Sequence, residues 1–262
     1  MNSLAKIIKY SFYDTLRSWW ALLYGLFFLA LAATLLYFSG DFNRALVSLL
    51  NVVLLLVPLI STVFGTMYFY NSREFIELLL AQPIRRSHLF LGQYLGLALS
   101  LILSFCMGLG IAFLLYAGTL EESKHLFMLL LCGSLLTAIF TAVAFLISMS
   151  FEDRIKGFGM AIVFWLCVVV IYDGLFLAFL VVFNDYPLEK ISVGITLFNP
   201  IDLSRILILL RLETAALLGY TGAVFEKFFG TTQGTFISFF ALVLWIVLPL
   251  LLFVRKASHK DF

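Results

Sequence analysis

Leu46-Val-Ser-Leu-Leu-Asn-Val-Val-Leu-Leu-Leu-Val-Pro-Leu-Ile-Ser-Thr-Val-Phe-Gly-Thr-Met-Tyr68 contains no Asp, Glu, Lys or Arg. Its apolar residues form one block, with neither the two-residue alternation of a half-buried strand nor the single stripe of a surface helix. A helix made from it is apolar on every side, and lipid is the solvent that permits this. A bilayer core of roughly 30 Å needs about 20 apolar residues per helix, and each span must satisfy its own backbone, which favours helices over strands.

Working outward, five more such blocks give spans at Trp20–Phe38, Leu91–Ala117, Leu126–Met149, Phe158–Phe183 and Phe236–Val254, with Leu46–Tyr68 as the second. The fold class expected is an all-α integral membrane protein with six transmembrane helices, residues 1–262 forming one domain. The composition agrees: 63% of the 262 residues are hydrophobic and 12% charged, against about 25% charged in soluble domains. An even number of spans puts both termini on one side. That side holds eleven basic residues against six acidic ones (Asp14, Glu74, Glu77, Glu152, Asp153 and Asp261), and the other side six basic against eight acidic. Positive charge concentrates in the cytoplasm, so both termini are expected there.

Three connecting segments carry pattern. In residues 1–19, Leu4, Ile7, Ile8, Phe12, Leu16 and Trp19 recur at helical spacing while Lys6, Lys9, Asp14 and Arg17 take other faces, the signature of an interfacial helix anchored by Trp19 and Trp20. In residues 71–88 the sequence predicts a short amphipathic helix from Arg73 to Leu80, stopped before Pro83, with Glu74 and Glu77 on one face, Phe75, Leu78 and Leu79 on a greasy one, and Ser87 capping the third span. In residues 184–235, outside the cytoplasm, Asn199 is expected to cap a helix with Pro200 first and Asp202 in its first turn, lying in or dipping into the outer leaflet and ending near Gly219. The stretches Gly219–Ala223 and Gly230–Gly234 read as turns.

Catalytic patterns are missing from the sequence: no GxxxxGK[ST] phosphate loop, no HExxH and no GxSxG. His88, His125 and His259 fall on both sides of the membrane, and Cys106, Cys132 and Cys167 sit inside apolar runs as small hydrophobes, with no metal site expected. A net charge of +2 without a basic face excludes nucleic acid. The first apolar block is longer than the apolar core of a cleaved signal peptide, so the amino terminus is expected to be retained. Asp173, beside Tyr172, is the one ionisable residue within a span, and such a group costs several kcal/mol without partners or water. Either it lines an internal cleft or subunit interface, or it is hydrogen-bonded between helices, through Tyr172 for instance.

An amphipathic lead-in, six spans and a first loop reading Arg73-Glu74-Phe-Ile-Glu77-Leu-Leu-Leu-Ala-Gln-Pro83-Ile-Arg85-Arg86 resemble the permease subunits of ABC type-2 exporters over essentially the whole chain. The resemblance implies a non-catalytic homodimer in the bacterial inner membrane, with two cytoplasmic ATPase subunits that carry the ATP, while this chain binds no cofactor. Residues 1–19 would be the elbow helix. Arg73, Glu74, Phe75, Glu77, Leu78, Pro83, Arg85 and Arg86 would be the coupling helix and its flank on the ATPase, with Phe151–Gly157 a second contact. Phe198–Arg205, Leu218–Val224 and the Tyr172–Asp173 pair look like the permease of nitrous oxide reductase maturation systems. That likeness implies a role in copper-site assembly and a periplasmic copper-handling partner docked on Asn199, Pro200, Asp202, Arg205 and Tyr220. A lipid, glycan or drug exporter and a gliding-motility permease remain alternatives. An intramembrane enzyme needs convergent polar residues, and a channel polar stripes on several helices, which the spans lack.

Overall fold

Each apolar block becomes a helix long enough to cross a membrane. The computed structural model describes residues 3–39, 42–80, 85–116, 120–183, 189–211 and 222–259, and every regular element among them is helical. The helices are α1 (Ser3–Arg17), α2 (Trp19–Ser39), α3 (Phe42–Asn71), α4 (Arg73–Leu80), α5 (Arg86–Tyr116), α6 (Leu120–Ser150), α7 (Arg154–Leu166), α8 (Tyr172–Val182), α9 (Glu189–Leu197), α10 (Pro200–Arg211), α11 (Gly222–Phe229) and α12 (Thr232–His259). Six spans result, from α2, α3, α5, α6, α7 continued into α8, and α12.

Burial sorts the spans. The stretches of α3, α5 and α6 that would cross the bilayer are 50%, 56% and 61% buried within the chain, those of α2 and α12 22%, and that of the fifth span 0%. Three helices thus make the centre, two lean on it, and the fifth lies along the outside of α3 and α6, with Ala161 buried and Phe164, Trp165, Val168 and Phe176 half-buried against the core. On the side of the termini the centre is closed by four rings: Phe253 of α12 lies edge-on to Phe145 of α6 and Phe90 of α5, each at 5.6 Å between centroids, and Phe69 of α3 meets Phe145 at 5.6 Å. Such edge-to-face contacts favour one arrangement beyond simple area burial.

Several local details differ from the sequence reading. In α1 the buried stripe is Ile7, Ser11 and Thr15, packed on α5, with the larger Leu4, Ile8, Phe12 and Leu16 half-buried beside it. Small hydroxyl residues win the contact because they let two helices approach closely, and Thr15 Oγ1 satisfies itself on the Ser11 carbonyl at 2.9 Å. Ser87 is no cap: α5 already begins at Arg86, and the Arg85 carbonyl accepts from the His88 and Leu89 N–H groups at 3.0 and 3.3 Å. Gly222 opens α11 and α12 starts at Thr232, so part of each stretch read as a turn is helical; Thr231 Oγ1, accepting from Gly234 N at 3.0 Å, caps the last span.

The fifth span is not one α-helix. Cys167–Ile171 forms a π-turn between α7 and α8, and beyond the span α9 and α10 meet at 112°. α10 packs against α6, α3 and α12, burying Ile201, Leu203, Ile206 and Ile208, so this hairpin plugs the far end of the bundle from within.

Candidate functional site

The polar contacts of the fifth span cluster at its start and around its middle. At the end beside the chain termini, α3 finishes with Tyr70, whose hydroxyl donates to the Phe151 carbonyl at 3.0 Å, with the Ser148 and Asp153 carbonyls 3.4 Å away. Arg73, opening α4, reaches the Glu152 carbonyl at 3.4 Å. Asp153 caps α7, its Oδ1 accepting from Ile155 N at 2.8 Å. Glycine at 157 is a steric requirement, since a Cβ there would stand 1.8 Å from Tyr70 Oη. Lys256 of α12 donates to Ser150 Oγ at 2.8 Å. The first loop, the second loop and the last span therefore form one platform.

Upon that platform the short α4 sorts its residues by face. Ile76 is fully buried, Leu79 packs on the core and Phe75 stacks on Tyr10 of α1 at 5.0 Å. Glu74 and Leu78, four residues apart and so on one face, look outward, Leu78 being 72% exposed. The outward face is thus mixed, one carboxylate and one leucine, rather than purely acidic or purely apolar. Arg85 is exposed and Arg86 half-buried at the start of α5. Pro83 lies outside the described residues, as does the Glu77 side chain.

Midway along the span the π-turn matters. The N–H of Tyr172 bonds the Cys167 carbonyl, five residues back, rather than that of Val168, and the Val168 carbonyl accepts from Asn199 Nδ2 at 3.1 Å. Asn199 also caps α10, its Oδ1 accepting from Ile201 N at 3.0 Å, while Nδ2 donates to Asp202 Oδ2 at 2.9 Å. Arg205 Nη1 lies 3.1 Å from both Asp173 Oδ2 and Asp202 Oδ1, and Tyr172 Oη donates to the Ile195 carbonyl of α9. One guanidinium thus serves two carboxylates, and the bent hairpin is tied to the fifth span through side chains of both.

Of the residues singled out from the sequence, Asn199, Asp202 and Arg205 turn into this knot, Asn199 and Asp202 being buried. A protein meeting the hairpin from outside meets the surface they support, including Phe198, 72% exposed. Pro200 is the first residue of α10 and buried; Tyr220 lies outside the described residues. Asp173 is neither alone nor joined through Tyr172: it pairs with Arg205, thirty-two residues on. Tyr70 and the Val168 carbonyl were missed, and Gly157, read as part of the second contact, meets Tyr70 instead. A tyrosine at a span end reads as a membrane-interface anchor, and a π-turn leaves no mark in residue type. Among the described residues no three or more His, Cys, Asp or Glu side chains are grouped to hold a metal ion.

Comparison with known proteins bears on most of the chain. The profile described as "ABC-2 family transporter protein" matches residues 50–256. Two proteins named "Probable ABC transporter permease protein NosY" are similar to it. That of Stutzerimonas stutzeri is 28% identical over 225 residues, 79% of this chain and 81% of the relative. That of Pseudomonas aeruginosa is 27% identical over 220 residues, 78% of this chain and 80% of the relative.

Proposed function

Because the chain belongs to the ABC-2 family of transporter proteins, and is accordingly a multi-pass permease subunit that works with an ATPase partner, we propose that it carries ATP-driven movement from that ATPase across the membrane along its fifth span. The observation that carries the proposal is the anchoring of that span: fixed to the α4 platform by Tyr70 at its start and to the α9–α10 hairpin by Val168 and Asp173 from its middle onward, with Ala161 buried and Phe164 and Trp165 half-buried between. A helix held at two points passes a displacement of one to the other, given a two-state element that both sites bias.

In this reading the α4 side faces the cytoplasm of a bacterium, in keeping with the excess of Lys and Arg on that side. Two copies of the chain form a homodimer, each meeting one of two ATPase subunits through Glu74 and Leu78. The chain holds no ATP and catalyses nothing itself. The hairpin is the platform for a periplasmic copper-handling protein in nitrous oxide reductase maturation, a subtype supported by the likeness to the two NosY relatives and by the Asn199–Arg205 segment.

The test uses the chain co-expressed with its ATPase partner, reconstituted in nanodiscs, with spin labels at Phe198→Cys and at an exposed position of α5. ATP with vanadate is expected to change the inter-label distance in the wild type and not in Arg205→Met. A nucleotide response that persists unaltered in Arg205→Met defeats transmission through this span. Loss of periplasmic-partner capture, with the response intact, would refute only the copper subtype.

A further inference from the structure

The first span makes a tight contact on one flank and a loose one on the other. On the α5 side a Cβ at Gly108 would stand 2.3 Å from the Gly25 carbonyl oxygen, so the two backbones touch. On the α3 side lie two cavities. The first, about 420 Å³ beside the α1–α2 elbow, is lined at its mouth by Asp14, Ser18, Asn71 and Ser72 and further in by Val63 and Phe64. The second, about 320 Å³, lies deeper along the same seam between Phe27, Leu31, Leu35 and Val52. Its one hydroxyl, Thr34, is satisfied on the Ala30 carbonyl at 2.7 Å, so nothing polar in it asks for a partner.

The seam therefore runs from polar to apolar along the direction in which a lipid is polar to apolar. Trp19 and Trp20, 71% and 64% exposed, mark the headgroup level at its mouth. From Trp20 to Phe27 is seven helical residues, about 10 Å of rise. An acyl chain crossing half of a roughly 30 Å core extends about 15 Å, enough to pass Phe64 and enter the second cavity. The head is specified by charge. Asp14 is the one charged residue lining the cavity, and Arg17 stands one turn along, both side chains exposed. Among the described residues no ion pair joins the two. An anionic head would meet the carboxylate; an ammonium beside a phosphate meets Asp14 and Arg17 respectively.

We propose that this seam binds one phospholipid of the leaflet on the α4 side, with a zwitterionic primary-amine headgroup whose ammonium donates to Asp14, and that its acyl chain completes the packing between α2 and α3. The site is independent of the transmission role of the fifth span.

The experiment is native mass spectrometry of the full-length chain taken from nanodiscs of phosphatidylethanolamine, phosphatidylcholine or phosphatidylglycerol. One phosphatidylethanolamine per chain is expected to survive detergent stripping, with phosphatidylglycerol retained about tenfold less, as expected when a charge-assisted hydrogen bond is lost. Asp14→Asn, at an exposed position, should lower phosphatidylethanolamine retention by about the same factor without changing the melting profile. Val63→Trp, which fills the cavity, should lower it with Asp14 intact. Equal retention of phosphatidylglycerol, or undiminished retention by Asp14→Asn, overturns the headgroup assignment. Spontaneous disulfide linkage of two copies through Phe27→Cys would show that a second chain occupies the seam, and would overturn the proposal entirely.

Discussion

Beside the chain termini the fifth span is fastened by an uncharged hydroxyl on a backbone carbonyl, Tyr70 on Phe151, backed by the four-ring floor of Phe69, Phe90, Phe145 and Phe253. Around its middle it is fastened by a guanidinium shared between two carboxylates and an amide reaching the opened π-turn. The first anchorage combines a weak directional bond with steric fit, and aromatic packing holds it in one geometry. The second is stronger bond for bond, since charge-assisted hydrogen bonds are worth roughly twice neutral ones, yet Arg205 has two carboxylates to choose between. The first therefore suits a fixed mount and the second an exchangeable latch.

The largest effect should come from removing the shared cation. Arg205→Ala leaves the Asp202 and Asp173 carboxyls together without it, and breaking such a pair costs about 3 kcal/mol, the low end of the usual range because Asp173 and Arg205 are each about a third exposed. Unfolding titration in mixed micelles measures it. Replacing all three, as Asp173→Leu, Asp202→Leu and Arg205→Met, should recover most of that stability. A single variant as stable as the wild type would mean that the second anchorage is not held by charge.

At the mount, Gly157→Ala should cost about 2 kcal/mol through overpacking against Tyr70, and Tyr70→Phe should relieve part of it because the nearest atom, the hydroxyl oxygen, is gone. A double-mutant cycle reads the coupling; strictly additive losses would separate Gly157 from Tyr70. Asn199→Ala, which loses the cap of α10 and the bond to Val168, should cost about 1.5 kcal/mol. Asn199→Asp keeps the cap but loses the donor and adds a charge beside Asp202, so it should be no better than Asn199→Ala; a stable Asn199→Asp protein would leave the π-turn contact without energetic weight.

The smallest change in stability belongs to Leu78→Asp, an exposed position where substitutions stay within about 0.5 kcal/mol. Co-purification of the ATPase should nevertheless fall sharply. Unaltered capture would assign the ATPase contact to another surface.

How much of this was legible depended on the scale of the pattern. Six spans follow from apolar blocks because the bilayer imposes length and polarity on every residue of a span. The start of α10 was legible too, since Asn199, Pro200 and Asp202 act on their own helix within three residues. The partnership of Asp173 with Arg205 was not: it joins residues thirty-two apart across a 112° bend, and no local preference encodes that distance. Nor was the contact face of α1, where Ser11 and Thr15 matter for their small volume, which a search for apolar stripes passes over.

The π-turn gives the fifth span a register that can be counted. Five residues there occupy about the angular space that a regular helix gives to four, so deleting one, Val169 for example, would restore α geometry and leave everything beyond it facing nearly as before. Asp173 would still reach Arg205, while the Val168 carbonyl would be drawn back into the helix and lost to Asn199. The α-helical turns between Gly157 and Leu166 have no such slack: one residue added or removed there turns Asp173 by about 100° away from Arg205, and should disable the protein more thoroughly than replacement of any side chain between them.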